Sequence, residues 1–317
     1  MFTLPRYDEH YYTPPPRIAL STELPIVDAH QHFWDPRVNY HPWLCDEPMR
    51  PFRYGDYSAI RRPYLPADYL ADAAGHRVVK TVYVETGWDP GAPIGEMRFV
   101  DRLRRETGFP TVAVAQACLD RDDVAHVLEQ QAEFPFVRGI RHKPRANQSP
   151  GDAAPGGMAD PKWRAGFARL ARHGLRFDLQ TPWWHLHEAA VLARDFPETP
   201  IILNHAGLPA DRSRDGVAGW KRAMATLATC PNAAVKLSGL GVPGSPWTAE
   251  ANRAIVLTAI ELFGVARCMF ASNFPVDGLC GSLATIFGGF REIVGDFSPA
   301  DRHRLFHDNA IRSYAME

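Results

Sequence analysis

The sequence predicts an α/β chain closed into a single (β/α)8 TIM barrel. Eight short apolar runs rich in Val and Ile alternate with amphipathic segments of near 3.6-residue period. Strand–helix alternation of this kind implies a parallel sheet with right-handed crossovers. The length, 317 residues, suits one closed barrel with a large core. An open doubly wound sheet is the alternative, but no GxGxxG follows the first run, which argues against a dinucleotide fold.

The eight runs are PIVDAH (25–30), VVKTVYVE (78–85), TVAVAQAC (111–118), FVRGIRH (136–142), LRFDLQ (175–180), PIILNHA (200–206), AAVKLSG (233–239) and CMFASN (268–273). Helical patterns fill the gaps at 95–107, 123–134, 162–174, 184–196, 219–230, 248–264 and 281–297, several of them ending in Gly or Pro. A closing helical pair spans 298–316 behind a Ser-Pro-Ala-Asp start. Residues 1–23 read as a polar, proline-rich N-terminal arm ahead of a barrel over 24–317. Two loops exceed the usual length. One, over 33–68, is a long aromatic loop after strand one; the other, over 143–160, follows strand four. Both leave the C-terminal side of the sheet, where barrel sites are built. The aromatic density of the first points to a binding loop, whereas the second reads equally well as a solvated insertion.

Hydrophobic residues make up 45% and charged residues 22%, with a net charge of −1. Such a balance offers no field for nucleic acid or anionic membranes, and no basic run or stacking platform stands out. No apolar h-region opens the chain and no run reaches the length of a membrane span. The five cysteines form no CxxC pair, so a disulfide framework or thiolate zinc site is not expected, and a cytoplasmic location fits best. A small-molecule substrate is therefore the expected partner; oligomerisation is left open.

Polar residues gather where the apolar runs finish. His30 and His32 end the first run and Glu85 the second; Gln116 lies in the third; His142, Gln180 and His205 end the next three. Lys236 and Ser238 close the seventh, and Asn273 with Asp277 the eighth. Side chains two apart share a strand face, so His30 and His32 point the same way. A ring of such groups at strand ends is the anatomy of a barrel active site. Taken alone, an H-x-H pair is as well explained by structure as by function. Arg138 and Arg141 lie on opposite faces of strand four, so only one can share the inward direction of His142; an inward arginine would suit a substrate carboxylate, and a surface or inter-helix salt bridge explains it equally well. Trp34 and Trp88 follow strand ends as candidate pocket walls. The remaining histidines on loops and helices, His41 and His185 among them, read mostly as solvated or capping residues.

IVDAHQHFWDP (26–36), VYVE (82–85), FVRGIRH (136–142), ILNHAG (202–207), VKLSG (235–239), MFASNFPVD (269–277) and HDNAIRSY (307–314) give the chain its resemblance to a known family. From about residue 24 onward it resembles the amidohydrolase superfamily, in its amidohydrolase-2 branch. Within that branch it is similar to the lactonase-like group of sugar lactonases and pyrone-dicarboxylate hydrolases. The resemblance implies the same barrel and a hydrolase that opens a lactone or related cyclic ester by water attack at the carbonyl. An acidic or sugar lactone would be its substrate. Relatives work with one divalent metal or with none. On the metal reading, with zinc the expected ion, Glu85, His142 and His205 are the ligands, and His30 and His32 complete the site or bind substrate. On the metal-free reading, the histidines with Arg138 or Arg141 stabilise the oxyanion. Gln180, Trp34 and Trp88 would line the substrate site. The family usually carries Asp where this chain has Asn273, and an amide cannot act as a base. The base is then Asp277 or Glu85, or the usual hydrolysis is lost. A metal-dependent decarboxylase of the same superfamily and a non-catalytic binding barrel are the competing readings.

Overall fold

Eight parallel strands run in sequence order around one sheet: β1 Ile26–Gln31, β2 Val78–Val84, β3 Val112–Gln116, β4 Val137–Arg141, β5 Arg176–Leu179, β6 Ile201–Leu203, β7 Ala233–Leu237 and β8 Cys268–Phe270. This computed structural model describes residues 24–152 and 154–317; the expected N-terminal arm over 1–23 lies outside the described residues. The β1–β8 seam is closed by main-chain bonds from Asn273 N to His30 O (2.8 Å) and from His32 N to Phe274 O (2.8 Å). Asp28 reinforces it, accepting from Ser272 N (2.9 Å), Ser272 Oγ (2.5 Å) and the hydroxyl of Tyr69 (2.8 Å). The barrel expected from periodicity is thus the observed fold.

A main helix follows each strand: α1 Pro66–Asp72, α2 Pro93–Thr107, α3 Val124–Ala132, α4 Pro161–Phe167, α5 Leu186–Asp195, α6 Arg214–Ala228, α7 Ala249–Phe263 and α8 Leu283–Ile293, with a further single turn of helix, Pro42–Cys45, in the loop after β1. The first has no counterpart among the expected helices, because its seven residues are too few to show a period. Asp160, Ser213, Thr248 and Ser282 cap α4, α6, α7 and α8 through their side chains, each satisfying otherwise orphaned amides. The outer strand faces and the helices form one large apolar core. Val27, Ala29, Val82, Val84, Val112, Val114, Ile202, Met269 and Ala271 fill the barrel interior.

The chain then closes the barrel from below. After Pro299–His303 it passes through a π-helical turn, Arg304–Asp308, into Asn309–Ser313. Ala310, Tyr314 and Met316 join the interior cluster. The Tyr314 hydroxyl donates to Asp178 on β5 (2.9 Å), and Arg176 Nε holds Ser313 O (2.8 Å). Lys236 on β7 meets the same carboxylate at 2.5 Å, with both side chains fully buried. Replacing one partner of such a pair strands a charge and costs about 3–5 kcal/mol. The site therefore rests on a polar floor that the tail completes.

Candidate active site

Above that floor, the strand ends open into a cavity of about 580 Å³, a size ordinary for a small-molecule site. Its wall includes His32, Glu85, Arg141, Gln180, His205 and Asn273 from six different strand ends. The aromatic loop supplies Trp34, Trp43, Phe52 and Tyr57, and the β2–α2 connection supplies Trp88. Trp34 is pinned by its indole N–H to Ile60 O (3.1 Å) and Arg62 O (2.9 Å), and its ring lies 6.1 Å from that of His32.

His30, His32 and His205 converge. The His30 ring centre lies 4.9 Å from that of His32 and 4.6 Å from that of His205. A register irregularity in β1 between Asp28 and Gln31 makes this possible. It shifts the strand's phase, so that Ala29 packs in the interior while His30 and His32 also face the mouth. His205 is placed by strain instead. β6 stops at Leu203, and His205 and Ala206 adopt left-handed backbone angles (φ 55° and 49°). Such angles in non-glycine residues cost roughly 1–3 kcal/mol and gather at functional sites. Gly239 leaves room for the ring, because a Cβ there would lie 2.6 Å from His205 Cγ.

The polar contacts fix each group's capacity. His205 Nδ1 meets Ser238 Oγ at 2.9 Å, leaving Nε2 toward the cavity. His30 Nδ1 lies 3.4 Å from Lys236 Nζ, and its Nε2 lies 3.5 Å from an Arg141 nitrogen. His32 Nδ1 meets Val84 O at 2.8 Å and its Nε2 meets Asn273 Oδ1 at 3.2 Å. Asn273 Nδ2 in turn donates to Asp277 Oδ1 (2.6 Å), which also accepts from the Tyr54 hydroxyl (2.9 Å). Asn273 too is left-handed, at φ 54°. Burial, followed by neighbouring cations, holds His30 and His205 well below the usual histidine range. Burial likewise pushes His32 down to about 3. Burial raises the Asp277 carboxyl against the opposing pull of Arg53, Asn273 and Tyr54.

Arg141 grips Glu85. Its Nε donates to Glu85 Oε1 (2.5 Å), a second nitrogen bonds the Glu85 carbonyl, and the third reaches Gln180 Oε1 (3.1 Å). Burial opposes ionisation of Glu85, but Arg141, Lys143 and the Gly87 amide win and hold it at about 2. Glu96 on α2 sits behind, bonded by Tyr83, Thr86 N and Thr86 Oγ1. Burial and the charge of Glu85 push it up to about 7.

Several expected positions need correction. His142 turns away from the cavity: its Nδ1 accepts from Leu119 N (3.0 Å) and the Trp163 indole (2.9 Å), as alternation requires once Arg141 faces inward. Arg138 lies at the opposite end of β4, bonded to Pro135 O and Ala315 O beneath the barrel. Asp277 stands behind Asn273 and Tyr54 rather than on the cavity wall. The 143–160 loop is tied to α5 and the turn before it: Asn147 N donates to His185 Nε2 (3.0 Å) and Gly156 N to Glu188 Oε1 (2.6 Å). His41 and His185, expected to be solvated, are buried. Sequence reasoning missed Arg53, Tyr54, Lys143, Asp178 and Tyr314. Asp178 was detectable, since it lies two residues from Gln180, a recognised strand-end group; Lys143 was not, because taking His142 as inward puts Lys143 on the other face.

Comparison with known proteins gives this geometry its context. Residues 27–316 match the model of the amidohydrolase family, in its amidohydrolase-2 group. An uncharacterised protein of Sinorhizobium fredii, y4mH, is 42% identical over 298 residues, covering 93% of this chain and 100% of that one. The L-fucono-1,5-lactonase of Burkholderia ambifaria is 28% identical, covering 92% and 96%. An amidohydrolase of Burkholderia multivorans, solved with bound zinc, superposes with a TM-score of 0.74 at 24% identity, covering 92% and 99%. By its sequence from β1 to the closing helix, this chain belongs to the amidohydrolase family.

Proposed function

We propose that the protein is a hydrolase that opens a lactone or related cyclic ester by water attack at the ring carbonyl. One observation carries the reading: His205 is forced by backbone strain to face the cavity, with Nδ1 on Ser238 and Nε2 toward substrate space. With Ser238 accepting from Nδ1–H, Nε2 keeps its lone pair. Burial and the nearby Arg53, Arg141 and Lys236 keep this imidazole neutral at pH 7, the state a general base needs. In the reaction, His205 Nε2 takes a proton from water as its oxygen bonds to the carbonyl carbon. The carbonyl electrons move onto oxygen beside the Arg141 guanidinium, which stabilises the charge. Collapse breaks the ring C–O bond, and His205 returns the proton to the leaving oxygen. The product is an open hydroxy acid. The lactonase among the relatives supports the same class.

The strand-end donors do not fit a divalent metal. His32 spends both nitrogens on Val84 and Asn273. His30 has a cation against each nitrogen, Glu85 is gripped by Arg141, and His142 faces outward. Among the described residues, the one His/Cys/Asp/Glu group whose ligating atoms lie within 4.8 Å of one another is His303, His307 and Asp308, away from the cavity. A divalent ion at the mouth would be repelled by Arg141 and Lys236. No step here runs through a metal.

Incubation with a panel of five- and six-membered lactones, followed by acid release, tests the proposal. Turnover that is lost in His205→Asn supports it. Turnover unaffected by that change, or no opening of any lactone, rejects it.

A further inference from the structure

Lys143 continues the inward phase of β4 one step past Arg141. It lines the cavity and keeps an exposed face there. Among the described residues it has no hydrogen-bond or ion-pair partner. Glu85, the one carboxylate among the residues of the cavity wall, is already committed: Oε1 to Arg141 (2.5 Å) and Oε2 to Gly87 N (2.7 Å). The other wall cations are answered, Arg53 by Asp277 at 3.7 Å and Arg50 by Asp46 at 3.0 Å. Lys143 therefore feels the charge of Glu85 only at a distance and, alone among the wall's lysine and arginine side chains, has no contact partner of its own among the described residues. Partial loss of water in the recess, with Arg141 and Arg53 nearby, lowers its pKa from the usual lysine value.

We infer that Lys143 anchors an anionic substrate, holding a carboxylate carried by the ring that the site opens. The inference rests on the lactone-opening reading and names its substrate class. An ammonium on a flexible stem suits a carboxylate without demanding the two-point geometry of an arginine fork. Trp34, Phe52 and Trp88 on the same wall offer apolar surface to the ring.

Calorimetric titration with coumalate, a cyclic ester bearing a carboxylate, and with its neutral methyl ester tests the anchor directly. Wild type is expected to bind coumalate at least about tenfold more tightly than the ester, as one charge-assisted contact allows. Lys143→Met should bind the two equally, and Lys143→Arg should restore most of the preference. Equal binding by wild type, no binding of coumalate at millimolar concentration, or a preference that survives in Lys143→Met with intact near-ultraviolet circular dichroism would overturn it. Kinetics separate anchoring from chemistry. With D-glucaro-1,4-lactone, which carries a carboxylate, and D-glucono-1,4-lactone, which does not, Lys143→Met should raise KM for the first alone. A fall in kcat for both would place Lys143 at the reacting carbonyl and overturn the anchor. Should neutral lactones be opened without any preference for coumalate, the anchor fails and the lactonase reading stands. Should no lactone be opened while coumalate binding still depends on Lys143, the reverse holds.

Discussion

Asn273 Nδ2 lies 2.6 Å from Asp277 Oδ1, and the same amide presents its oxygen to His32 Nε2 at 3.2 Å. The other His32 nitrogen faces the Val84 carbonyl, which only accepts. Two arrangements satisfy every member of this chain. In one, His32 is an imidazolium and Asp277 a carboxylate, a state confined to acid solution because burial holds His32 at about 3. In the other, the amide is turned over, Asp277 is protonated and donates to Asn273, and Asn273 donates to neutral His32. Both hold the same single proton. Losing it leaves two acceptors facing each other, so the amide serves as a linker that retains one proton.

Replacing that amide by a carboxylate should be costly. Asn273→Asp puts a second acid against Asp277 with His32 as the shared neighbour. At pH 8 we expect a loss of about 1–3 kcal/mol of stability. The loss should shrink as the pH falls toward 3, below the ordinary Asp value of 3.8, where the carboxyls increasingly hold protons in the folded and unfolded chains alike. Urea unfolding of wild type and variant at the two pH values measures this. An equal loss at both would show that the two carboxyls do not interact.

On the proposed mechanism, His205 and Ser238 should govern the rate. His205→Asn should lower kcat by about 10²–10⁴, the range for a lost general base. Ser238→Ala, which frees Nδ1, should lower kcat by roughly tenfold through loss of the reactive tautomer. Because burial and nearby cations depress the pKa of His205, its basic form persists as the pH falls. The acid limb of kcat/KM should therefore lie below pH 6.5, the ordinary histidine value. A limb at or above 6.5 would move the base elsewhere.

Folding stability should have losses on both sides of neutrality. Unfolded histidines gain protons below 6.5, whereas folded His30 and His205 stay neutral. Stability therefore declines as the pH drops below 6.5. Glu96 acts on the other side. Unfolded, it loses its proton near 4.5; folded, it keeps it up to about 7. Folding then takes up a proton, so the Glu96 contribution falls as the pH rises through that window. Glu96→Gln should match wild type near pH 4 and exceed it at pH 8 by on the order of 1–3 kcal/mol. Thermal unfolding at the two pH values reads the difference.

Metal removal should leave catalysis intact. Dialysis against EDTA is expected to change kcat/KM less than twofold, because the donors at the mouth are committed to cations and amides. Elemental analysis of the active protein should find well under one equivalent of zinc. Loss of activity restored by zinc would reverse this conclusion.

Most of the fold was legible because Val and Ile runs with amphipathic spacers are dictated by burial on both faces of each strand. The site was legible where polar groups end the apolar runs, as with His30, His32, Glu85, Gln180 and His205. The backbone irregularities that aim the three histidines, in β1 and after β6, leave no mark in the periodicity. On β4 the phase was read one residue off: Arg141 faces inward and His142 outward, while Arg138 lies at the far end of the strand. Arg53 and Tyr54 lie in a loop with no period to read, so only tertiary contact with Asp277 reveals them.

Tyr314 reaches the barrel interior from beyond the last strand and completes the hydrogen bonding of Asp178 beneath Lys236. During synthesis every strand leaves the ribosome before this tyrosine does. A nascent barrel with all eight strands in place would thus still lack its floor, which forms only when the segment around Tyr314 docks.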